Sequence, residues 1–369
     1  MQRRFLAMSV WRKTSRVSGV AAFLLCLLIL GSACVSPRTE YIFQGPTMGT
    51  TFTVKVVLDG EAEPLSPQRQ DEVREGIVTA LEDVNSKMST YLEWSELSRL
   101  NQFEGTGPFP VSKETLEVFS EAQRISAATG GAFDITVGPL VNAWGFGPDE
   151  RMIEGPTDEE IENLKARVGW SKIKIDTANS AIYKLDPGVY CDLSAIAKGY
   201  AVDRVAEGLA ARGFGHYMVE VGGEVRALGR NSAGEAWRIA VERPRDGARE
   251  FQRVLPLTGM AMATSGDYRN FFERDGQRFS HEIDPATGRP VRHNLASVSV
   301  IDSSCMRADG YATALMVLGE EEGFRWASEN EVAALFLVRN GETFDEKATP
   351  EFHKLFPGVV EGASASEAN

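Results

Sequence analysis

Long apolar runs, cysteine pairs and positive charge are what this 369-residue chain lacks. No window holds eighteen consecutive apolar residues, which excludes a polytopic membrane protein. Four cysteines occur, none in a Cys-x-x-Cys, and His216, His281, His293 and His353 lack zinc spacing, so a zinc enzyme finds little support. Three signatures are missing as well: the phosphate loop Gly-x-x-x-x-Gly-Lys-Ser/Thr, the dinucleotide fingerprint Gly-x-Gly-x-x-Gly and the nucleophile elbow Gly-x-Ser-x-Gly. Lys and Arg number 39 against 52 Asp and Glu, a formal charge of -13 that repels a nucleic-acid backbone. An anionic substrate must therefore be met by a local positive feature or a metal. Hydrophobic residues at 43% and charged residues at 25% are globular values that rule out wholesale disorder, collagen and coiled coil. The length allows one large domain or two intimate ones.

The first 33 residues read as a signal peptide. Arg3, Arg4, Arg12, Lys13 and Arg16 precede the apolar run Val20–Leu30, followed by Gly31, Ser32, Ala33 and Cys34. A cysteine directly after small residues is the lipobox arrangement, in which Cys34 takes a lipid and becomes the mature N-terminus. Lipoboxes usually carry Leu three places before the cysteine, and here that place is Gly31; an ordinary cleavage site or an uncleaved anchor stays open. Without the five leader bases the formal charge is -18. Residues 34–40 read as a tether, 41–357 as the folded domain and 358–369 as a flexible tail. Cys191 and Cys305 are equally compatible with a disulfide and with two buried free thiols.

Strand-like alternation runs from Tyr41 to Leu58, interrupted at Gly45–Gly49. Pro67–Met88 predicts a helix with Val73, Ile77, Leu81 and Val84 on one face. Ser112 caps a second helix ending at Gly130-Gly131, and Thr157 with Glu160 forms a capping box for a third, closed by Gly169. Lys172–Asp176 and Ala181–Leu185 predict strands. A helix is expected from Asp192 or Ser194 to about Arg212. Then come strands at Tyr217–Leu228, Trp237–Glu242 and Val254–Leu257, a hairpin about Asp275-Gly276, a strand at Leu295–Asp302, a helix at Arg307–Leu318 and a hairpin at Asn340-Gly341. Strands and helices do not alternate strictly, so the expected class is α+β with mixed or antiparallel sheets packed with helices.

Several clusters are dense in Gly, Asp and Thr where a core element would be apolar. They are Gly45–Thr50, Gly130–Gly138, Asp192–Tyr200, His281–Gly288 and Ala308–Ala314. Asp309 and Thr313 lie four apart on an expected helix and share a face. A carboxylate, a hydroxyl and a nearby carbonyl make a hard, all-oxygen site suited to Mg2+. The plain alternative is a helix cap and a threonine bonded to its own backbone.

Taken together and in this order, the motifs resemble the ApbE-type flavin transferases, the FAD:protein FMN transferases, which are periplasmic lipoproteins. They are Gly-Gly-Ala-Phe-Asp from Gly130, Asp-Leu-x-x-Ile-Ala-Lys-Gly from Asp192, Val-Gly-Gly-Glu from Val221, Thr-Ser-Gly-Asp-Tyr-Arg-Asn from Thr264, His-x-Ile-Asp-Pro-x-Thr-Gly from His281 and Ala-Asp-x-x-Ala-Thr-Ala from Ala308. The likeness spans about Tyr41 to Leu318. It implies a T-fold-related, two-lobed single catalytic unit that moves FMN from FAD onto a Thr or Ser hydroxyl of an acceptor flavoprotein and releases AMP. It implies acceptors such as subunits of membrane redox pumps, and a lipid-anchored enzyme on the periplasmic face of the inner membrane.

The same resemblance places Asp309, Thr313 and the Ala195 carbonyl on Mg2+. It places Met48, Tyr91, Ala132, Phe133, Asp134, Asp192, Lys198 and Ile283 along FAD, and His281 where members carry a functional histidine. Some members have a second Asp three residues after the metal Asp; here that residue is Ala312, so a one-metal site is the simpler expectation. Breaking the FAD diphosphate needs charge neutralised. Histidine as a residue type titrates near neutrality, which makes His281 a reasonable general base. Two other functions stay open: hydrolysis of FAD to FMN and AMP, which shares this site with water in place of the acceptor, and FAD binding without catalysis, which keeps Phe133 and Asp192 but does not need Asp309 or His281. For Phe133, Tyr91 and Met48, core or loop packing is the plain alternative. For Asp192 it is a helix cap, and for Lys198 a solvated side chain.

Overall fold

The computed structural model describes residues 38–60, 62–148, 155–244, 250–268, 271–274 and 277–358. The leader, Cys34, the Asp275-Gly276 turn, Arg269-Asn270 and the tail beyond Gly358 lie outside the described residues.

One antiparallel sheet organises the chain. Its strands, in spatial order, are β1 (Thr39–Thr47), β2 (Thr50–Leu58), β6 (Tyr217–Val221), β7 (Glu224–Leu228), β10 (Met260–Gly266), β15 (Leu295–Asp302), β16 (Ala333–Asn340) and β17 (Thr343–Ala348). Every neighbouring pair is antiparallel. The remaining strands form small ribbons: β3 (Phe109–Pro110) with β5 (Ala181–Lys184) and β4 (Ile173–Asp176), β8 (Trp237–Glu242) with β9 (Phe251–Leu257), β11 (Phe271–Arg274) with β12 (Gln277–Ser280), and β13 (Ile283–Asp284) with β14 (Arg289–Pro290). The helices are α1 (Pro67–Met88), α2 (Glu96–Gln102), α3 (Lys113–Ala128), α4 (Gly138–Ala143), α5 (Asp158–Lys165), α6 (Ala197–Ala211), α7 (Cys305–Glu329) and α8 (Pro350–Leu355). The antiparallel α+β class is the one expected. β1 begins inside the segment read as a tether.

Period-two alternation decides which side chain faces which layer. Val54, Val56, Val219, Val221, Ala261, Ala263, Val298 and Val300 meet the apolar stripes of α1, α3, α6 and α7 in the principal core. On the sheet's other face Val225, Ala227, Met262, Ile301, Leu335 and Leu337 meet Trp237, Ile239, Leu255 and Leu257 of the β8–β9 ribbon and Phe352 of α8. With both faces covered, β15 is buried at all but its last residue. A third cluster joins Leu140, Trp144, Ile161, Phe279 and Ile283.

Local signals set most boundaries. Ser66 caps α1 with Pro67 at its first turn, and the helix buries Val73, Ile77, Leu81, Val84 and Met88; each such side chain is worth roughly 1.5–3 kcal/mol when fully buried. Ser112 caps α3, and the Thr157–Glu160 capping box opens α5. Three of the boundaries that differ from expectation matter most. The single strand Tyr217–Leu228 is two, because Gly222 and Gly223, with φ of 63° and 112°, turn the chain between β6 and β7. The helix expected from Asp192 or Ser194 starts only at Ala197. The helix expected over Arg307–Leu318 continues to Glu329 across a break at Gly319, whose φ of 80° is left-handed. Cys191 and Cys305 are both free and buried.

Candidate active site

The late start of α6 builds the centre of the site. Asp192 does not cap the helix; its carboxylate accepts the Ser194 amide at 2.8 Å and holds a turn. The helix then begins after Ile196, whose side chain cannot cap. A helix leaves its first amides without partners. Asp309, from α7, takes over: its Oδ2 accepts the Gly199 amide at 2.9 Å. A regular helix extended back through Ala195 would give that amide to the Ala195 carbonyl. Gly199 permits the approach by having no side chain, since a Cβ there would sit 2.4 Å from the Cys305 carbonyl oxygen and 2.8 Å from the Asp309 Cβ.

Asp309 is 3% exposed, and its other oxygen, Oδ1, faces the Lys198 ammonium at 4.0 Å. Lys198 donates a hydrogen bond of 2.9 Å to Glu224 Oε1. Three charges thus share one pocket. Burial pushes the Asp309 carboxyl above its ordinary value, against the pull of Lys198 and the Gly199 amide. Burial also pushes Glu224 up, to about 7, with Asp309 adding to the rise and Lys198 opposing it. For Lys198 burial works against the charge, yet Asp309 and Glu224 outweigh it and hold the ammonium protonated. Lys198 is therefore a paired cation between two carboxylates, not the solvated side chain its position in a helix suggests.

Thr313 lies one turn along α7 from Asp309, and its hydroxyl meets that of Ser265 on β10 at 3.2 Å. The register of α7 is fixed at its N-terminus by Asp203 of α6, which accepts the amides of Cys305 and Met306 at 3.0 Å and the Ser304 hydroxyl at 2.9 Å, and pairs with Arg226 at 2.6 Å. Among the described residues no three His, Cys, Asp or Glu side chains gather as a metal cluster. A cation here would draw on one carboxylate, the Thr313 hydroxyl and main-chain carbonyl oxygen, a hard donor set.

Two loops border this centre. Met48 and Gly49 make the two-residue turn between β1 and β2, both with positive φ, 46° and 71°. A methionine in that conformation carries roughly 1–2 kcal/mol of strain. The Gly222 amide bonds the Thr51 carbonyl, and a Cβ at Gly222 would lie 3.0 Å from Thr50 and 3.3 Å from Lys198 Cδ. The Met48 hairpin, the Gly222-Gly223 turn and Lys198 are thus neighbours. His281 follows β12, with its side chain 33% exposed; its Nε2 is 3.6 Å from Glu282 Oε1, and its ring meets Phe146 edge-on. Burial raises the Glu282 carboxyl; His281 and Lys198 oppose the rise while Asp309 and Asp267 add to it.

Other expected ligand contacts fall differently. Tyr91 is 66% exposed; burial of part of its ring raises its hydroxyl, and the Asp192 charge adds to the rise. Phe133 is buried in the principal core, and its amide donates to the Thr129 hydroxyl at 3.3 Å. Asp134 is committed to the Thr136 amide and hydroxyl and to the Trp170 amide. Ala132 is half-buried beside it. Ile283 packs in the third cluster with Trp144 and Phe279.

Sequence reasoning left out Glu224, Ser265, Asp203 and Asn101. Glu224 closes the Val-Gly-Gly-Glu motif, and a buried acid after a glycine turn was the available signal. Asn101 clamps both main-chain groups of Cys191, at 2.7 and 2.9 Å, and thereby fixes the approach to Asp192.

The ApbE family model matches residues 48–336. The chain is 46% identical over 329 residues to a Vibrio cholerae protein named FAD:protein FMN transferase, covering 89% of this chain and 96% of that one. A Haemophilus influenzae protein of the same name is 43% identical, covering 92% and 97%. Among solved structures, a flavin transferase from Vibrio cholerae superposes with a TM-score of 0.79 at 44% identity, covering 87% of this chain and all of that one. The apo form of a Pseudomonas stutzeri flavinyl transferase gives 0.78 at 40% identity, covering 88% and 99%.

Proposed function

The chain belongs to the ApbE family, and from that premise we propose that it transfers FMN from FAD to a Thr or Ser hydroxyl of an acceptor flavoprotein, with AMP as leaving group. The observation that carries the reading is the buried Asp309 carboxylate, with one oxygen on the Gly199 amide and the other open toward Lys198. That half-satisfied carboxylate, together with the Thr313 hydroxyl and the Ala195 carbonyl, fits Mg2+. When bound, Mg2+ supplies charge neutralisation at a diphosphate.

The residues divide the remaining work. Lys198 offers its ammonium to phosphate oxygens. Tyr91 offers a ring face to a flavin or adenine, and Met48 stands in its strained turn beside Lys198. His281 accepts the proton of the acceptor hydroxyl as its oxygen forms a bond to the FMN phosphorus, and the bond from that phosphorus to the AMP oxygen breaks. The acceptors we have in view are flavoproteins such as subunits of membrane redox pumps. The leader and Cys34 support a lipid-anchored enzyme on the periplasmic face of the inner membrane.

The test is one incubation of the protein with FAD, Mg2+ and a candidate acceptor, read by mass spectrometry. Covalent FMN on the acceptor is the expected product. Free FMN and AMP without an adduct mark hydrolysis instead, and unchanged FAD marks binding alone. Asp309→Ala is expected to abolish turnover; full activity in that variant rejects the metal assignment.

A further inference from the structure

Lys198 stands unevenly between its two carboxylates. Its ammonium is within hydrogen-bond distance of Glu224, at 2.9 Å, and outside it for Asp309, at 4.0 Å. Glu224 is a fixed point: its side chain is 4% exposed and opens β7 directly after the Gly222-Gly223 turn. Its second oxygen, Oε2, is buried without a hydrogen-bond partner among the described residues. A carboxylate kept for stability is tied more fully, as Asp203 is by Arg226, Ser304, Cys305 and Met306. For Glu224 the hydrogen bond on Oε1 goes to Lys198.

We propose that Glu224 is a positioning residue that holds the Lys198 ammonium off Asp309 and so reserves Asp309 Oδ1 for a divalent cation. This rests on the reading of Asp309 as a cation ligand. Without the anchor, attraction between opposite charges in a buried site draws the ammonium onto Asp309, and an incoming cation must then displace it. With the anchor, the ammonium and Glu224 neutralise each other, and Asp309 keeps its charge for the cation. The same tether keeps the ammonium next to the bound cation, where a diphosphate would meet both.

The probe is Mn2+, bound to the purified full-length protein and measured by electron paramagnetic resonance at mildly alkaline pH, with folding checked by circular dichroism. Asp309→Ala is expected to lose the site. Glu224→Gln, nearly isosteric, is expected to bind roughly tenfold more weakly. Lys198→Met is expected to bind at least as tightly as wild type. The decisive arm is the double variant Lys198→Met with Glu224→Gln, which is expected to recover wild-type affinity because no ammonium remains to occupy Asp309. Unchanged binding in Glu224→Gln overturns the proposal. So does a double variant as weak as Glu224→Gln alone, which would make Glu224 a ligand or a structural group. Binding that survives Asp309→Ala defeats the cation reading itself and leaves a different signature from either of those results.

Discussion

Glu224 shows what a single side chain's surroundings do to its chemistry. Its folded carboxyl is raised from 4.5 to about 7, mainly by burial. A raised acid binds its proton more tightly in the folded state than in the unfolded one, so its effect on stability becomes less favourable as pH climbs between those values. Wild-type protein is therefore expected to lose stability relative to Glu224→Gln across that window, seen as a fall from pH 4.5 to 7 in the wild-type melting temperature minus that of the variant. A difference that rises or stays flat contradicts the assignment. His281 makes a different demand. Its partly exposed ring suits proton transfer as the proposed general base, so His281→Ala is expected to keep FAD affinity while slowing transfer by about 10²–10⁴-fold. Flavin fluorescence titration and single-turnover kinetics separate the two quantities. That Asp309 and Thr313 share a helix face was legible from their spacing, while the choice of a cation role over the plain alternative came only from the resemblance. Glu224 was not legible, because its meaning depends on Lys198, on a different element and brought near only by tertiary packing.

At the level of elements, what could be read depended on whether the signal was local. β15 spans the residues expected, Leu295–Asp302, because Val298, Val300 and Ile301 among small residues favour an extended strand without outside help. The start of α6 was misplaced because its cap comes from Asp309 on another helix. β10 went unread because Ala261, Ala263 and Ser265 are small, and this face packs against α7. The α6–α7 contact depends on Gly199 in the same way. Gly199→Ala drives a methyl into the Cys305 carbonyl, and two packed helices yield little. The expected cost is roughly 1–3 kcal/mol by chemical denaturation, together with weaker cation binding because the Gly199–Asp309 hydrogen bond is displaced. Wild-type values for both would show that the helices slide apart freely. At the break in α7 at Gly319, His293 donates to the Met316 carbonyl at 2.7 Å and packs against the glycine.

Across the whole molecule, one sheet with helices on one face and a ribbon with a short helix on the other explains how distant motifs meet. Its class was legible from element order, but its strand order was not, since β2 pairs with β6 and β10 with β7 and β15 through crossovers that no short window reveals. Cys34 belongs to this scale because it concerns where the entire protein sits. Cys34→Ala is expected to leave catalysis intact and release the protein from membranes on fractionation; a variant that stays membrane-bound argues for an uncleaved anchor. The sheet order also sets when the catalyst comes into being. During synthesis the ribosome delivers Met48, Lys198 and Glu224 long before Asp309, and β15 must still find β10 and β16. On the proposed site, a nascent chain lacks its cation ligand until α7 emerges, and contacts so distant along the chain make that last assembly comparatively slow.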